Sequence, residues 1–337
     1  MKIGNFDTSE KVLIVAEIGN NHEGDFSLAK EMIDAAAESG ADAIKLQTIT
    51  PHRLVSPKEK KRIEQLRKFS FTLDQFVALK ERADKKNVMF LSTPFDIEAV
   101  DWLTPLVPAF KIASGDNDFW PLLEKIAFTG KPVILSLGFG RIRNASKIAS
   151  FFKRIWRDSD IAFPSLAFLH CMVSYPTPDD QANLRGIANI KFENVIPGYS
   201  DHTLGIKASE LAVACGARII EKHFTLNKSQ SDFRDHQLSA DPSELKALVH
   251  AIADVEKFLG KYDSSIGSCE EENLTAMGRS IASNRDINVG ETVSIADICW
   301  VRPRMGLKPG EEHLIIGKKL SLPINEGDFF SPTHFQS

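Results

Sequence analysis

The chain has 337 residues, enough for one large and one small domain, and its 43% hydrophobic and 26% charged residues are usual for a globular protein. The formal net charge of -4 gives no overall attraction to nucleic acid or anionic lipid, and no apolar run approaches the roughly 20 residues of a membrane-spanning helix. The four cysteines form no CxxC pair and the N-terminus has no signal-peptide pattern, so we expect reduced thiols, a cytoplasmic location and no nucleic-acid or membrane partner.

Short apolar runs follow one another along the chain, and each carries residues able to do chemistry near its end. The first four, VLIVAEI, AIKLQT, VMFLST and FKIAS, carry Glu17, Lys45 with Gln47, Thr93, and Lys111 with Ser114. The next four, PVILS, LAFLHC, VIPGYSDH and RIIEKHF, carry Ser136, His170 with Cys171, Ser200 with His202, and His223. Continuous apolar runs are typical of parallel strands buried on both faces.

Amphipathic segments separate the runs, and several have recognisable ends. SLAKEMIDAAAESG begins at Ser27, a candidate N-cap, and stops at Gly40, while TLDQFVALKERADKK runs from Thr72 to Lys86. This alternation predicts βα repeats, which could form a closed barrel or an open sheet. Eight units without a GxGxxG loop favour a (β/α)8 TIM barrel, whose active site would lie at the carboxyl ends of the strands.

The pattern changes after a last helix that we predict from Pro242 to Gly260. The polar, acidic stretch that follows indicates a linker, and from Arg279 short β-like runs alternate with turns such as NVGE, KPGE and NEGD. We therefore predict a barrel domain over residues 1–262, a linker over 263–278 and a small β-rich domain over 279–337.

Two histidines stand at the ends of neighbouring predicted strands. His202 ends the seventh run and His223 the eighth, so in a barrel their imidazoles could share a divalent ion. A structural hydrogen-bonding role is the alternative for each histidine alone. Two protein ligands would leave coordination sites open for a substrate oxygen.

Two lysines lie inside apolar strands, where an ammonium group needs a partner. Lys45 and Lys111 could form buried salt bridges to Glu17, Asp116 or Glu221, hold a phosphate or carboxylate, or form a Schiff base. The nearby hydroxyl groups favour an anion cradle for a small phosphorylated acid; they belong to Thr93, Ser114, Ser136 and Ser200.

Carboxylates and one basic stretch complete the candidates. Glu17, Glu221, Asp116 and Asp235 could each act as a general acid or base. Residues 53–68 are locally basic, either as a solvated face or as a lid that attracts an anionic substrate.

Seven motifs, in order, resemble the N-acetylneuraminate (sialic acid) synthase family. They are AEIGNNHEGDFSLAKEMIDAAAESGADAIKLQT, STPFD, FKIASGD, KPVILSLGF, LHCMVSYPTP, GYSDHTLG and EKHFT. The tail from Arg279, with WVRPRMGLKP, resembles that family's C-terminal antifreeze-like domain (SAF, a β-clip fold). The similarity spans nearly the whole chain.

The resemblance implies a transferase that condenses phosphoenolpyruvate with an N-acylated hexosamine, such as N-acetylmannosamine, to give a nonulosonic acid and phosphate. It implies Mn²⁺ or Mg²⁺ between His202 and His223. The implied phosphoenolpyruvate contacts are Lys45, Thr93, Lys111, Ser114, Ser136 and Ser200, and the implied sugar contacts are Gln47, Tyr175 and Asp235. Glu17, Asp116 and Arg302 are the expected catalytic residues, with Glu17 handling the proton of water and Arg302 reaching the partner's site in a domain-swapped homodimer.

The chain departs from the family's pattern near the sugar. Asp116 stands where glutamate is common, Val173 replaces a small or polar residue, and Phe233-Arg234-Asp235-His236 replaces GPDH. Two other functions stay open, and these departures favour the second of them. One is a synthase of 3-deoxy sugar acids from aldose phosphates, against which the antifreeze-like tail argues, and the other is a non-catalytic sugar-binding protein in glycan assembly.

Overall fold

The chain forms two compact units, Met1–Gly260 and Lys261–Ser337, in a computed structural model. The structure describes residues 1–139, 141–233, 235–261 and 265–335. The predicted boundary between residues 262 and 263 lies outside the described residues. None of the helices described in these ranges has the length and apolarity needed to cross a membrane.

The first unit is a parallel barrel preceded by a short antiparallel hairpin, β1 (Lys2–Ile3) and β2 (Phe6–Asp7). The barrel strands are β3 (Leu13–Gly19), β4 (Ala43–Thr48), β5 (Met89–Pro94), β6 (Phe110–Ile112), β7 (Val133–Ser136), β8 (Leu166–Cys171), β9 (Val195–Asp201) and β10 (Ile219–His223). They pair in the order β5-β4-β3-β10-β9-β8-β7-β6, and the two end strands also approach within 8 Å at their Cα atoms. The expected eight-stranded barrel is therefore confirmed.

Helices follow most of the strands. They are α1 (Phe26–Glu38), α2 (Pro51–Leu54), α3 (Lys60–Phe69), α4 (Leu73–Lys85), α5 (Ile97–Leu103), α6 (Trp120–Phe128), α7 (Ala145–Asp158), α8 (Lys207–Ala214), α9 (Asp235–Leu238) and α10 (Pro242–Leu259). Most of them cover the outside of the barrel, and α3 and α9 contribute residues to a cavity at its carboxyl end. The connection after β8 contains the 3-10 turns Asp179–Gln181 and Leu184–Asn189.

The start of α1 differs from the sequence prediction. Its N-cap is Asp25, whose carboxylate accepts hydrogen bonds from the backbone N–H groups of Ser27 and Leu28, so the prediction of Ser27 as the cap was wrong. Both residue types are good caps, but only Asp25 has the extended backbone that the position requires.

The barrel interior has an apolar lower layer and a polar upper layer. Side chains alternate along each strand, so Leu13 and Val15 of β3 point inward below Glu17, and Ile219 of β10 points inward below Glu221 and His223. The apolar layer is a separate cluster that includes Ala43, Leu91, Ala109, Ile134, Ala167 and Leu169. This packed layer closes one end of the barrel and leaves the polar side chains at the carboxyl ends of the strands.

The second unit begins with a helix and continues as a small β-rich fold. Helix α11 (Ser268–Met277) occupies most of the segment predicted as a linker, and β11 (Ser280–Ser283) pairs antiparallel with β12 (Ile298–Val301). Its own apolar core consists of Ile281, Ile287, Val293, Ile298, Leu307, Ile315, Leu320, Ile324 and Phe330.

Candidate active site

A cavity of about 770 Å³ opens at the carboxyl ends of the barrel strands. Most of the residues predicted for the site line it: Glu17, Lys45, Gln47, Thr93, Lys111, Ser114, Ser136, Tyr175, Ser200, His202, His223 and Asp235. The strand-end positions explain this convergence, because parallel strands of a barrel deliver all their carboxyl ends to one face.

The floor of the cavity is a buried cluster of two ammonium and two carboxylate groups. Lys45 Nζ lies 2.8 Å from Glu17 Oε2 and 3.7 Å from Glu221 Oε2. Lys111 Nζ lies 3.8 Å from Glu221 Oε1. All four residues are buried, so each charge depends on the others for compensation.

The environment shifts the pKa values of this cluster in different directions. Burial raises the pKa of Glu17, although Lys45 pulls it down. Burial also acts against the ionised form of Glu221, but the ammonium groups of Lys111 and Lys45 outweigh it and lower that pKa. Burial lowers the pKa of Lys111. Glu17 is therefore the carboxyl group better suited to carry a proton, and Glu221 the one better suited to stay charged.

Hydroxyl groups surround the two lysines. Lys111 Nζ donates a hydrogen bond to Ser136 Oγ at 2.8 Å, and Lys45 Nζ donates to Thr93 Oγ1 at 3.1 Å. Ser200 Oγ donates to Glu221 Oε1 at 2.9 Å. Ammonium and hydroxyl donors thus converge on a concave space, which is what a phosphate or carboxylate ligand requires. The predicted buried salt bridges of both lysines are present, and the anion cradle stays a prediction.

The two predicted metal-binding histidines lie side by side. The ring centroids of His202 and His223 are 5.4 Å apart, and Tyr175 packs 4.2 Å from His202. His202 Nδ1 lies 2.8 Å from the carbonyl oxygen of Met172. A carbonyl only accepts, so Nδ1 carries the hydrogen and the Nε2 lone pair is left for a ligand.

The histidine pair fits a divalent ion with open coordination sites. Burial lowers the pKa of His202, which keeps its imidazole neutral as a metal ligand must be. Among the described residues there is no group of three or more His, Cys, Asp or Glu side chains that could hold an ion. A two-imidazole site therefore needs substrate or water oxygens to complete it.

The outer part of the cavity combines amide, carboxylate and aromatic groups. Gln47 donates to Glu17 Oε1 at 3.1 Å and accepts from Asn20 Nδ2 at 2.9 Å. Helix α3, from the basic stretch 53–68, contributes Arg62, Gln65 and Phe69 to the lining, and Phe69 meets Phe233 edge to face. The second half of the basic stretch is thus a helix that lines the cavity, and Arg234 beside Phe233 lies outside the described residues.

The structure shows the surroundings of two residues, Val173 and Asp116, at which the chain departs from the family's sequence pattern. Val173 packs against Gly138, where an added Cβ would lie 2.3 Å from Val173 Cγ2 and 2.7 Å from Ser114 Cβ. Asp116 belongs to the 3-10 turn Ser114–Asp116 and is not among the residues that line the cavity. Arg302 belongs to the second unit, where its Nη1 lies 3.5 Å from the sulfur of Met277.

Sequence reasoning missed several residues that line the cavity. Glu221 was considered only as an ion-pair partner or as one of several acids, and Cys171, Asn20 and Glu23 were not assigned to the site. Glu221 could have been found from strand periodicity, because it lies two residues before His223 and so faces the same side. Asn20 and Glu23 lie in the loop after the first barrel strand, a position that also indicates the active-site face of a barrel.

Comparisons with known proteins agree over most of the chain. A model of the NeuB family matches residues 32–264, and a model of the SAF domain matches residues 278–336. The pseudaminic acid synthase of Campylobacter jejuni subsp. jejuni serotype O:2 is 37% identical over 351 residues, with 100% of each chain covered. The N,N'-diacetyllegionaminic acid synthase of the same organism is 36% identical and covers 92% of this chain and 96% of that protein.

A solved structure has the same fold. The crystal structure of the N-acetylneuraminic acid synthetase from Leptospira borgpetersenii serovar Hardjo-bovis superposes with a TM-score of 0.75 at 36% identity. The match covers 81% of this chain and 94% of that chain.

Proposed function

Because the chain belongs to the NeuB family and ends in a SAF domain, we propose that it is a metal-dependent synthase of a nonulosonic acid. In this proposal it condenses phosphoenolpyruvate with an N-acylated hexosamine and releases phosphate. The family match confirms the resemblance that the sequence motifs indicated. The relatives named as pseudaminic and N,N'-diacetyllegionaminic acid synthases support an amino-sugar acceptor related to N-acetylmannosamine.

The observation that carries the proposal is the convergence of two ammonium groups and two imidazoles in one cavity. Lys45 and Lys111 are hydrogen-bonded to the hydroxyl groups of Thr93 and Ser136, and His202 and His223 line the same cavity. A phosphorylated carboxylic acid needs the first set, and a polarised carbonyl group needs the second.

We assign the phosphoenolpyruvate subsite to the two lysines with Thr93, Ser114, Ser136 and Ser200. The buried apolar layer lies directly below the charged groups of the cavity floor. Charge–charge attraction is therefore stronger there than in water. Each ammonium group has three N–H donors, so in this proposal Lys45 and Lys111 keep their ion pairs with Glu221 and direct their remaining donors toward the anion.

A divalent ion, Mn²⁺ or Mg²⁺, would sit between His202 and His223 and would polarise the aldehyde oxygen of the open-chain sugar. The main-chain carbonyl of Met172 fixes the orientation of the His202 ring, and Tyr175 packs against both rings. These contacts hold the imidazoles in one geometry before the substrates arrive.

Bond formation starts from carbon 3 of phosphoenolpyruvate, whose π electrons form the new bond to the aldehyde carbon while the carbonyl π electrons move to the aldehyde oxygen. That oxygen takes up a proton to become a hydroxyl group, and the water that adds next returns one. Carbon 2 becomes electron-poor and takes up water, and the resulting tetrahedral centre releases phosphate to leave a 2-keto acid. We assign the proton of that water to Glu17, because burial raises the pKa of Glu17 and so makes it a better base than an exposed glutamate.

We assign the part of the cavity that binds the sugar acceptor to Gln47, Tyr175 and Asp235, all of which line the cavity. We further propose a cytoplasmic homodimer with swapped domains, in which Arg302 of the partner subunit completes this part. Asp116 does not line the cavity, so its proposed part in catalysis would act through its neighbours rather than on the substrate.

A phosphate-release assay tests the function. Phosphate should appear only when phosphoenolpyruvate, Mn²⁺ or Mg²⁺ and an acylated mannosamine or dideoxy-sugar are all present. An aldose phosphate as the preferred acceptor would instead support the 3-deoxy sugar acid synthase. Amino-sugar binding without turnover at any metal would support a non-catalytic protein.

The His202→Ala variant tests the metal assignment within that assay. We expect turnover to fall by about 10³-fold or more with the fold retained, since metal-assisted polarisation is worth several kcal/mol of barrier. His250→Ala, which changes an exposed histidine on α10, is the matched control and should keep full activity. An active His202→Ala enzyme would remove His202 from the metal site.

A further inference from the structure

The outward faces of β9 and β10 carry a buried polar network that the reaction described above does not use. Lys222 Nζ lies 3.2 Å from Asp201 Oδ2 and donates at 2.6 Å to the carbonyl oxygen of Thr203. The Lys222 and Asp201 side chains are both fully buried between the barrel and its helices. A buried pair of opposite charges is costly to desolvate, so its presence calls for an explanation beyond stability.

Both carboxylate oxygens of Asp201 accept hydrogen bonds within this network. Asp201 Oδ1 accepts from the backbone N–H and the hydroxyl of Thr203, both at 2.8 Å, and from Tyr199 Oη at 3.3 Å. Asp201 Oδ2 accepts from Ser209 Oγ of α8 at 2.7 Å. These bonds hold the carboxylate against the strand end, the loop after it and the first helix that covers it.

The residues of this network are sequence neighbours of both proposed metal ligands. Asp201 and Thr203 are the residues immediately before and after His202, and Lys222 immediately precedes His223. Because side chains alternate along a strand, Asp201 and Lys222 point outward while His202 and His223 point into the cavity. The lysine therefore ties the carboxylate of the residue before His202 and the backbone carbonyl of the residue after it to the residue that precedes His223.

Cross-strand register alone does not supply this link. β9 and β10 pair in register from Tyr199 with Ile220 to Asp201 with Lys222, and their backbone pairing stops there. His202 lies just beyond the last paired residue of β9. The Lys222 bonds to Asp201 and Thr203 continue the connection past that point.

We propose that Asp201, Thr203 and Lys222 are positioning residues that set the spacing of His202 and His223 and thereby the affinity for the divalent ion. This inference rests on the metal site of the proposed function. It assigns an effect on metal binding to three residues that touch neither the ion nor the substrates.

The test is the Mn²⁺ affinity of the substrate-free protein, measured by calorimetry and by electron paramagnetic resonance titration. The double variant Asp201→Asn with Lys222→Met removes both charges and both cross-strand bonds, but keeps the side-chain oxygen that accepts from Thr203. We expect its Mn²⁺ affinity to fall by about 10- to 100-fold, the range usual for residues that orient metal ligands.

The control is an ion pair at the other end of β10, between Arg218, just before that strand, and Glu256 of helix α10. Arg218 Nη1 lies 3.0 Å from Glu256 Oε1, and Glu256 also accepts from the backbone N–H of Val12 just before β3. The variant Arg218→Met with Glu256→Gln should lower the thermal midpoint while leaving Mn²⁺ affinity unchanged, because it is far from the histidines.

Each outcome decides the proposal. A folded double variant with wild-type Mn²⁺ affinity, or a control variant that loses as much affinity as the double variant, would overturn it. If the double variant does not fold, Thr203→Val decides instead, since it removes only one hydroxyl bond to Asp201; we expect an affinity loss of at least about 3-fold, and no loss would overturn the positioning role. A wild-type protein that binds no Mn²⁺ would refute the metal site itself, which is a separate result.

Discussion

Asp116 lies in the 3-10 turn after β6, where its protonation differs from that of an exposed aspartate. Burial first, and the negative charge of Asp118 second, raise its pKa to about 6 from 3.8. The folded protein therefore holds a proton on Asp116 that the unfolded chain has already lost between about pH 4 and pH 6. It follows that this group lowers stability as the pH rises through that window, and that the loss is complete above pH 6.

Asp116→Asn should remove this pH dependence. At pH 7 we expect the variant to be more stable than the wild type by about 1 to 2 kcal/mol, after allowing for partial solvent access, because the cost of ionising a buried carboxyl group is gone. At pH 4 the two proteins should unfold at nearly the same temperature. Thermal unfolding across this pH range measures the effect, with the exposed Asp180→Asn as control; equal pH slopes for wild type and Asp116→Asn would contradict it.

The polar residues of the cavity could be predicted one by one, and the sequence offered three candidate partners for the lysines, but not which carboxylate each lysine meets. Strand periodicity places Glu17, Lys45 and His223 on the inner face, since each lies two residues from another inward position. The same periodicity does not say that Lys45 reaches both Glu17 and Glu221, because that depends on the register of three neighbouring strands. These ion pairs could therefore be identified only from the folded barrel.

At the scale of elements, helix ends were predictable where the capping signal was unique. The amphipathic segment predicted to start at Thr72 is α4, and Thr72 is its N-cap in a capping box with Gln75. At α1, Asp25 and Ser27 compete within three residues, and the backbone conformation at Asp25 decided between them. Helix α11 was missed because its acidic, polar sequence has no apolar face by which to recognise it.

Helix α10 is the last helix of the first unit, and the capping box at its N-terminus can be tested. Asp241 Oδ1 accepts from the backbone N–H of Glu244 at 2.9 Å, and Glu244 Oε2 accepts from that of Asp241 at 3.2 Å. Asp241→Ala should lower the free energy of unfolding by about 1 kcal/mol. Asp254→Ala, on an exposed turn of the same helix, should change it by less than about 0.5 kcal/mol. Chemical denaturation at pH 7 distinguishes the two, and equal effects would mean that the cap is not what stabilises this end.

At the scale of the whole molecule, the first unit accounts for most of the proposed chemistry but not for Arg302. The cavity residues span the barrel from β3 to β10, so the site exists only when the barrel is closed. The second unit has a core of its own that is small for independent stability. A domain swap would explain why such a unit is attached to a complete barrel, because each subunit would then supply Arg302 to the cavity of the other.

Complementation between two inactive variants tests the swap. In a mixed dimer of His202→Ala and Arg302→Ala subunits, a swapped arrangement pairs the intact barrel of one subunit with the intact Arg302 of the other and leaves the second site doubly defective. Random assembly on co-expression should therefore restore about a quarter of wild-type phosphate release, although each variant alone is inactive. If Arg302 served its own barrel, both sites of the mixed dimer would be defective and no activity would return. Tagged subunits purified in tandem isolate the mixed dimer, whose expected activity is about half that of the wild type because one of its two sites is intact.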